Sequence, residues 1–360
     1  MQAPTTPALS FSLETVTVAS LLTRFNEYFL IAVLIAVYFM LDGFDLGVGV
    51  LYPILGKNEE ERAVLRRSIG PVWDGNEVWL LTAGGALFAA FPPAYATTFS
   101  GFYLAVMLVL FGLIVRAVSL EYRAHDNKWK TLWDWCFCIG SLLPALLFGV
   151  AVGCIYEGIP MTANGDYSGV PLLGLITPFT LLCGVMGLVL CIAQGISWEC
   201  VKAPLGSDLY KRVEKLRPIW QLISIAVFIV LTIVALGMVQ PQMHDALGVV
   251  RIILAVLVVA LLLGAWAMGR QKKDLLAFIL QCVAVFMFIM LFAASMFPNL
   301  VVAAPGSIGP TITAMSAASS DLTLAWMTGI TCVGLPLVLL YHFLVYRAFR
   351  GRVNSSDLTY

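Results

Sequence analysis

Long apolar runs separated by short polar connections dominate the sequence from end to end. A run of about 20 apolar residues is long enough for an α-helix to cross the hydrocarbon core of a bilayer. The pattern therefore predicts an all-α, polytopic membrane bundle. Nine spans are predicted, at 28–50, 72–93, 100–120, 135–156, 172–196, 219–239, 250–269, 275–297 and 322–346. They define an N-terminal external segment 1–27, a single transmembrane bundle 28–346 and a tail 347–360.

The connections between these spans alternate in charge. Nearly all of the 21 lysines and arginines lie in the connections 56–68, 121–131, 197–218 and 270–274 and in the tail. The other connections carry no basic residue, namely 94–99, 157–171, 240–249 and 298–321. Because cytoplasmic connections of membrane proteins are enriched in lysine and arginine, this alternation predicts an external N-terminus and a cytoplasmic C-terminus.

The composition leaves little room for a soluble domain. Of the 360 residues, 60% are hydrophobic and 12% are charged, whereas a soluble domain carries about 25% charged residues. Acidic and basic residues balance at 21 each, which indicates no nucleic-acid partner. The N-terminal segment lacks a basic stretch followed by a compact apolar stretch, so we do not expect a cleaved signal peptide.

Two aspartates interrupt the first predicted span, in the stretch "YFMLDGFDLGVGVLYP". Asp42 and Asp45 are three residues apart, which on a helix separates them by about 60° and about 4.5 Å of rise. They therefore share one face, in the half of the span expected to lie near the cytoplasm. Gly43 and Gly47 are four apart, a spacing of small residues that lets another helix approach closely.

The second and third predicted spans add more charge at the same membrane depth. Asp74 and Glu77 are three residues apart in "GPVWDGNEVWLL", and the third span carries Arg116 and ends near Glu121. Because the connection between the first two spans is short, these helices are expected to be neighbours. The sequence thus predicts a buried polar patch of acids that includes Arg116, with Trp73 and Asn76 as packing or interface residues.

Two interpretations of these acids stay open. Ionisable residues inside a membrane usually mark ion or proton paths, but they also cap helix ends, pair with an arginine or lie in the headgroup layer. For Asp42 and Glu77 the structural interpretation is favoured. For Asp45 and Asp74 proton transfer is favoured, because each lies beside glycine and polar residues within apolar sequence.

A redox centre within this chain is not indicated. A haem held by two histidines needs two of them facing each other, and the chain has three, His125, His244 and His342, in separate regions. Cysteine spacing predicts no metal site, and no nucleotide-binding motif is present. Acids suited to proton transfer without a redox centre indicate a subunit of a larger enzyme.

Three stretches resemble subunit II of the cytochrome bd-type quinol oxidases: "LDGFDLGVGVLYP", "GPVWDGNEVWLLTAGGALFAAFPPAYATTFSGFY" and "VRAVSLEYR". The C-terminal "SMFPNLV", "ASSDLTL" and "YHFLVYRAFRGRV" fit the same family. The resemblance covers nearly the whole chain and is most specific over 38–123.

The resemblance implies a complex in a bacterial plasma membrane that oxidises ubiquinol or menaquinol and reduces oxygen to water. In such a complex subunit I holds two b-type haems and one d-type haem. Subunit II ligates no haem or metal and supplies part of a proton route from the cytoplasm. A small accessory subunit and a structural quinone held in this subunit are further features of some members.

The resemblance also assigns residues to that route. Asp74 is the aspartate of "WDGN", Asp45 is the second acid of "DGFD", and Glu121 stands where an aspartate follows the third span. His125 replaces a lysine of the family pattern, which makes the entrance of the route less defined. Two alternatives remain: a proton-coupled secondary transporter, and a structural scaffold for a redox partner.

Overall fold

The computed structural model describes residues 18–126, 128–239 and 247–353, and they form a bundle of long helices. One short antiparallel pair of strands, β1 (Asn299–Val301) and β2 (Ile312–Thr313), precedes the last helix. The helices are α1 (Val18–Leu55), α2 (Glu59–Ile69), α3 (Trp73–Ala90), α4 (Pro92–Gly101), α5 (Tyr103–Tyr122), α6 (Lys130–Glu157), α7 (Pro178–Lys202), α8 (Asp208–Met238), α9 (Gly248–Arg270), α10 (Asp274–Met296) and α11 (Asp321–Ala348).

Eight of these helices are long and apolar enough to cross a membrane: α1, α5, α6, α7, α8, α9, α10 and α11. The second predicted span corresponds to α3, an 18-residue helix. This helix is not among the eight, because its first turn, "WDGNE", lowers its mean hydropathy. Its length of about 27 Å is nearly enough to span the hydrocarbon core. The helix ends at Ala90, and Pro92 begins α4 after the intervening Phe91. The all-α membrane bundle is confirmed, while the number of nine spans stays a prediction.

Several helices extend beyond the predicted spans, because hydropathy detects only the apolar part of a helix. The helix α1 begins at Val18 rather than at 28, and α8 begins at Asp208 rather than at 219. The added turns carry charged residues that form hydrogen bonds within the bundle. For example, Arg24 donates to the Met315 carbonyl at 3.0 Å. The predicted connection 56–68 also contains α2, whose N-cap Asn58 accepts from the Glu61 amide at 2.8 Å.

The first helix, α1, lies at the centre of the bundle and packs against α3, α6, α7 and α10. Glycine allows its closest approach to α7. A Cβ atom added at Gly47 would overlap the Cys191 carbonyl oxygen, and one at Gly43 would overlap the Gln194 side chain. The predicted close approach of another helix at these two glycines is therefore present, and α7 is that helix.

The basic connections meet at one end of the bundle, which we call the basic end. Arg123 pairs with Glu59 at 3.0 Å, which joins the connection after α1 to the end of α5. Arg217 pairs with Asp274 at 2.7 Å, which joins α8 to the start of α10. The basic connections thus gather at one end of the bundle, as the alternation predicts, while their position on the cytoplasmic side of the membrane stays a prediction.

Candidate functional site

Three helices build a buried polar cluster in the half of the bundle nearer the basic end. Asp42 and Asp45 come from α1, Asn76 from α3 and Arg116 from α5, and all four residues have 0% exposed surface. Glu77, one residue after Asn76, borders them with 22% of its side chain exposed. The structure therefore brings together five of the residues predicted for the polar patch.

Asp42 and Arg116 form a two-pronged ion pair. The arginine NH1 lies 3.0 Å from Asp42 Oδ2, and NH2 lies 2.6 Å from Oδ1. Glu77 Oε1 is a second anionic neighbour, 3.3 Å from NH1, and the Trp73 ring centroid lies 6.0 Å from the guanidinium carbon. Parallel hydrogen bonds of this kind are among the strongest between side chains. Asp42 and Glu77 thus act as counterions of a buried arginine.

Asp45 has a different environment, although it shares a helix face with Asp42. Its Oδ2 atom accepts a hydrogen bond from Asn76 Nδ2 at 2.7 Å, and Asn76 Oδ1 accepts from the Tyr346 hydroxyl at 3.1 Å. The second oxygen, Oδ1, is buried without a hydrogen-bond partner among the described residues. Asp45 also makes no ion pair with any other described residue. Its Oδ1 atom can therefore take up a proton without the prior loss of an ion pair.

Asp74 and Glu121 lie outside this cluster. Both side chains are exposed on the isolated chain, Asp74 in the first turn of α3 and Glu121 in the last turn of α5. Asp74 makes no hydrogen bond or ion pair with any other described residue. His125 Nδ1 lies 3.1 Å from the Glu121 carbonyl oxygen, so this histidine contacts the backbone and not the carboxylate. The structure thus separates the predicted acids into a buried group and an exposed pair.

A layer of ion pairs covers the basic end next to α5 and α6. Arg123 Nε donates to Asp134 Oδ1 at 2.6 Å, and Arg62 NH1 donates to Asp134 Oδ2 at 2.8 Å. Partial burial raises the pKa of Glu59, but hydrogen bonds from Arg123 and the nearby positive charges of Lys130 and Arg62 outweigh it and hold the pKa below its usual value. The ion pairs of this layer thus join α2, in the connection between α1 and α3, to the ends of α5 and α6.

Sequence reasoning missed two side chains that contact the cluster region. Tyr346 on α11 lies 270 positions from Asn76, and Gln194 on α7 donates to the Met40 carbonyl at 3.2 Å. In the sequence each is visible only as a side chain with a polar end group inside an apolar span. That pattern does not show which residue the polar group contacts. Trp79 was also missed, and its Nε1 donates to His342 Nε2 at 3.1 Å.

Comparison with known proteins places this chain in a family. Residues 25–349 match the family described as cytochrome bd terminal oxidase subunit II. The chain is 33% identical to the cytochrome bd-I ubiquinol oxidase subunit 2 of Escherichia coli (strain K12), over 93% of this chain and 96% of that one. It is 35% identical to the cytochrome bd ubiquinol oxidase subunit 2 of Bacillus subtilis (strain 168), over 92% and 98%.

The fold agrees with this match. A chain from the structure of bd oxidase from Geobacillus thermodenitrificans superposes with a TM-score of 0.72 at 16% identity, covering 91% of this chain and 98% of that chain. The membrane helices and these matches define the class of the protein, a multi-pass subunit of a bacterial inner-membrane complex. The chain belongs to the cytochrome bd terminal oxidase subunit II family. These findings give no support to the transporter alternative.

Proposed function

We propose that this chain, as subunit II of a bd-type quinol oxidase, carries protons through Asp45 toward the oxygen-reducing haem of a partner subunit I. The observation that supports this role is the buried Oδ1 atom of Asp45, which has no partner among the described residues. A proton carrier must bind and release a proton, and an acid held in a two-pronged ion pair would have to break that pair first. Asp42 is held in this way, so it tunes the local charge rather than relaying protons.

Asp74 is the residue proposed to connect this cluster with the partner. Its carboxylate lies on an exposed face of α3, close to the exposed apolar side chains of Val78 (46%) and Leu81 (72%). A carboxylate facing lipid beside such residues is costly. Coverage of this face by subunit I removes that cost and places Asp74 at the junction of the two chains. Glu121, exposed at the end of α5, is the proposed entrance at the basic end.

The haems of the complex are proposed to be held by subunit I alone. His342 does not fit a haem ligand, because its Nε2 accepts from Trp79 and its Nδ1 lies 3.0 Å from the Val338 carbonyl oxygen. His125 is exposed at the end of α5, outside the bundle interior. His244 lies outside the described residues. A bound haem supplies electron transfer and oxygen reduction, and this chain's contribution is the proton.

A structural quinone, which the resemblance suggested, fits one cavity of this chain. The cavity has a volume of about 460 Å³ and lies among α1, α6, α7, α8, α9 and α10. Its walls are mostly apolar, with Phe228, Phe288 and Phe292 among the aromatic residues and Gln194 and Arg251 among the polar ones. An apolar cavity with few polar groups suits a ring with two carbonyl oxygens on an isoprenoid chain. These residues would hold the quinone without ligating a redox metal.

The test is turnover of the purified complex, expressed per haem, in Asp45→Asn and Asp74→Asn variants. Asparagine keeps the size and hydrogen-bonding capacity of aspartate but cannot titrate. We expect both complexes to assemble with haem, while quinol-driven oxygen consumption falls at least about tenfold, a barrier increase of roughly 1.4 kcal/mol. Glutamate at Asp74 should retain more activity than asparagine.

A scaffold role predicts the opposite pattern. Asparagine would then lower the yield of haem-loaded complex and leave turnover per haem intact. That result for Asp45→Asn would remove the residue from the proton route and favour the scaffold interpretation.

A further inference from the structure

A buried acid outside the acid cluster lies near the end of α7. Glu199 has 0% exposed surface and stands three residues before the last residue of that helix, at the basic end of the bundle. It is none of the acids assigned to the proton route. Its place inside the protein therefore needs an explanation of its own.

The two helices that meet at this carboxyl group, α2 and α7, are apolar there. Ile196 and Cys200, on either side of Glu199 along α7, belong to the same buried apolar cluster as Leu65 and Ile69 of α2. These side chains offer a charge neither hydrogen bonds nor hydration. A carboxylate in such surroundings is tolerated only when a cation and hydrogen-bond donors compensate it.

No cation pairs directly with Glu199 among the described residues. Lys202, three positions later on α7, attracts the carboxyl group without forming an ion pair with it. The Lys202 Nζ atom instead donates to the Phe349 carbonyl at 2.6 Å and lies 4.8 Å from the centroid of the Trp198 ring. The lysine charge is thus used at the end of α11, and Glu199 has no counterion in contact.

The contact with Ser68 of α2 indicates which form the carboxyl group takes. The Ser68 hydroxyl is within hydrogen-bonding distance of Glu199 Oε1 and also of the Leu65 carbonyl oxygen, the latter at 2.8 Å. A serine hydroxyl has a single proton to donate. Both contacts are hydrogen bonds at once only if Ser68 donates to the carbonyl and a protonated Glu199 donates to Ser68 Oγ.

The second carboxyl oxygen agrees with the protonated form. Glu199 Oε2 is buried without a hydrogen-bond partner among the residues that the structure describes. An oxygen of a neutral acid loses less on burial than an oxygen that carries part of a negative charge. Burial, the missing counterion and the single proton of Ser68 therefore favour the same form of the group.

We propose that Glu199 is a proton-binding site of this chain, held as a neutral carboxylic acid that donates a hydrogen bond from α7 to Ser68 of α2. Trp198 adds a second link between the same elements, since its Nε1 donates to the Ser68 carbonyl at 3.2 Å. The two bonds fasten α2 to the end of α7. The site is separate from the Asp45–Asn76 contact and does not rest on the proposed proton route.

Infrared spectroscopy of the assembled oxidase complex measures the form of the acid. The carbonyl stretch of a protonated carboxyl group lies at higher frequency than the bands of a carboxylate. Glu199→Gln is compared with a matched control, Glu61→Gln, at a largely buried glutamate of α2 that pairs with Arg212 at 3.1 Å.

We expect the unaltered complex minus Glu199→Gln to show a protonated carboxyl band that shifts in D₂O. The unaltered complex minus Glu61→Gln should show carboxylate bands instead. A Glu199 difference spectrum without the protonated band would overturn the proposal, whatever other bands it contains.

A stability comparison tests the same assignment without relying on spectra. Glutamine has nearly the shape of a neutral glutamic acid, and its amide group can donate to Ser68 Oγ. Glu199→Gln should therefore leave the melting temperature of the complex unchanged, whereas Glu61→Gln should lower it because Arg212 loses its partner.

Ser68→Ala should lower the melting temperature by the same amount with Glu199 present and in the Glu199→Gln background. A charged Glu199 predicts a different outcome, because glutamine would then remove a charge and alter stability. Failure of Glu199→Gln to assemble, or a shift of its melting temperature in either direction as large as that of Glu61→Gln, would refute the neutral acid.

Discussion

Removal of the Asp42 charge should damage assembly of the complex rather than its turnover. Asp42 and Arg116 are both at 0% exposure and are joined at 2.6 and 3.0 Å. Asp42→Asn leaves the guanidinium buried with Glu77 as its remaining anionic neighbour, at 3.3 Å. Loss of one partner from a buried ion pair costs about 3–5 kcal/mol. Because Glu77 retains part of the compensation, we expect a loss near the lower end, about 3 kcal/mol.

The assay compares the yield of haem-loaded complex, its thermal unfolding and its turnover per haem. Asp42→Asn should lower the yield and the unfolding temperature, while the complexes that do assemble turn over at a rate close to the unaltered one. The double variant Asp42→Leu with Arg116→Met removes both charges and replaces them with apolar side chains. Its stability should recover much of the loss, because an apolar pair avoids the cost of burying charges.

Two results would refute this reasoning. Normal yield and unfolding temperature for Asp42→Asn, together with a large fall in turnover per haem, would make Asp42 a proton carrier. A double variant no more stable than Asp42→Asn would show that the two residues do not act on stability through their mutual contact.

Three further predictions follow from the topology, the histidines and the ion-pair layer. Single cysteines at Ser168 and Ser307 should react with an impermeant thiol reagent outside intact cells, and one at Ser207 should not; external labelling at Ser207 would reverse the orientation. The chain expressed without its partner should show no stoichiometric Soret band, and about one haem per chain in a haemochrome assay would contradict the assignment of haem to subunit I. Arg123 holds the pKa of Glu59 below its usual value, so the ion pair stabilises the fold above the unfolded pKa and is lost as pH falls through the lower folded value. Glu59→Gln should therefore lower the unfolding temperature slightly at pH 7, and the difference from the unaltered protein should shrink as pH falls below the ordinary glutamate pKa of about 4.3 and vanish once pH lies below the lower folded value; a difference that persists in stronger acid would exclude this origin.

Local pattern was sufficient to predict the class of fold and much of the site. Apolar runs predicted the spans because burial of backbone hydrogen bonds in lipid requires continuous helix. The three-residue spacing of Asp42 and Asp45 placed both on one face of α1, and both are buried in protein. The motif resemblance predicted the family, which the comparisons show. Helix ends were less accurate, because charged turns such as the start of α8 continue the helix beyond its apolar part.

Only the tertiary structure decided which partner each acid has. The 60° between Asp42 and Asp45 on an ideal helix turns one toward Arg116 of α5 and the other toward Asn76 of α3. Asp74 has similar sequence surroundings, yet it faces outward. Tyr346 joins Asn76 from 270 positions away, at 3.1 Å. Sequence spacing defines neighbours along one helix, but the partner of a buried charge depends on which other helix packs there, and that depends on the whole bundle.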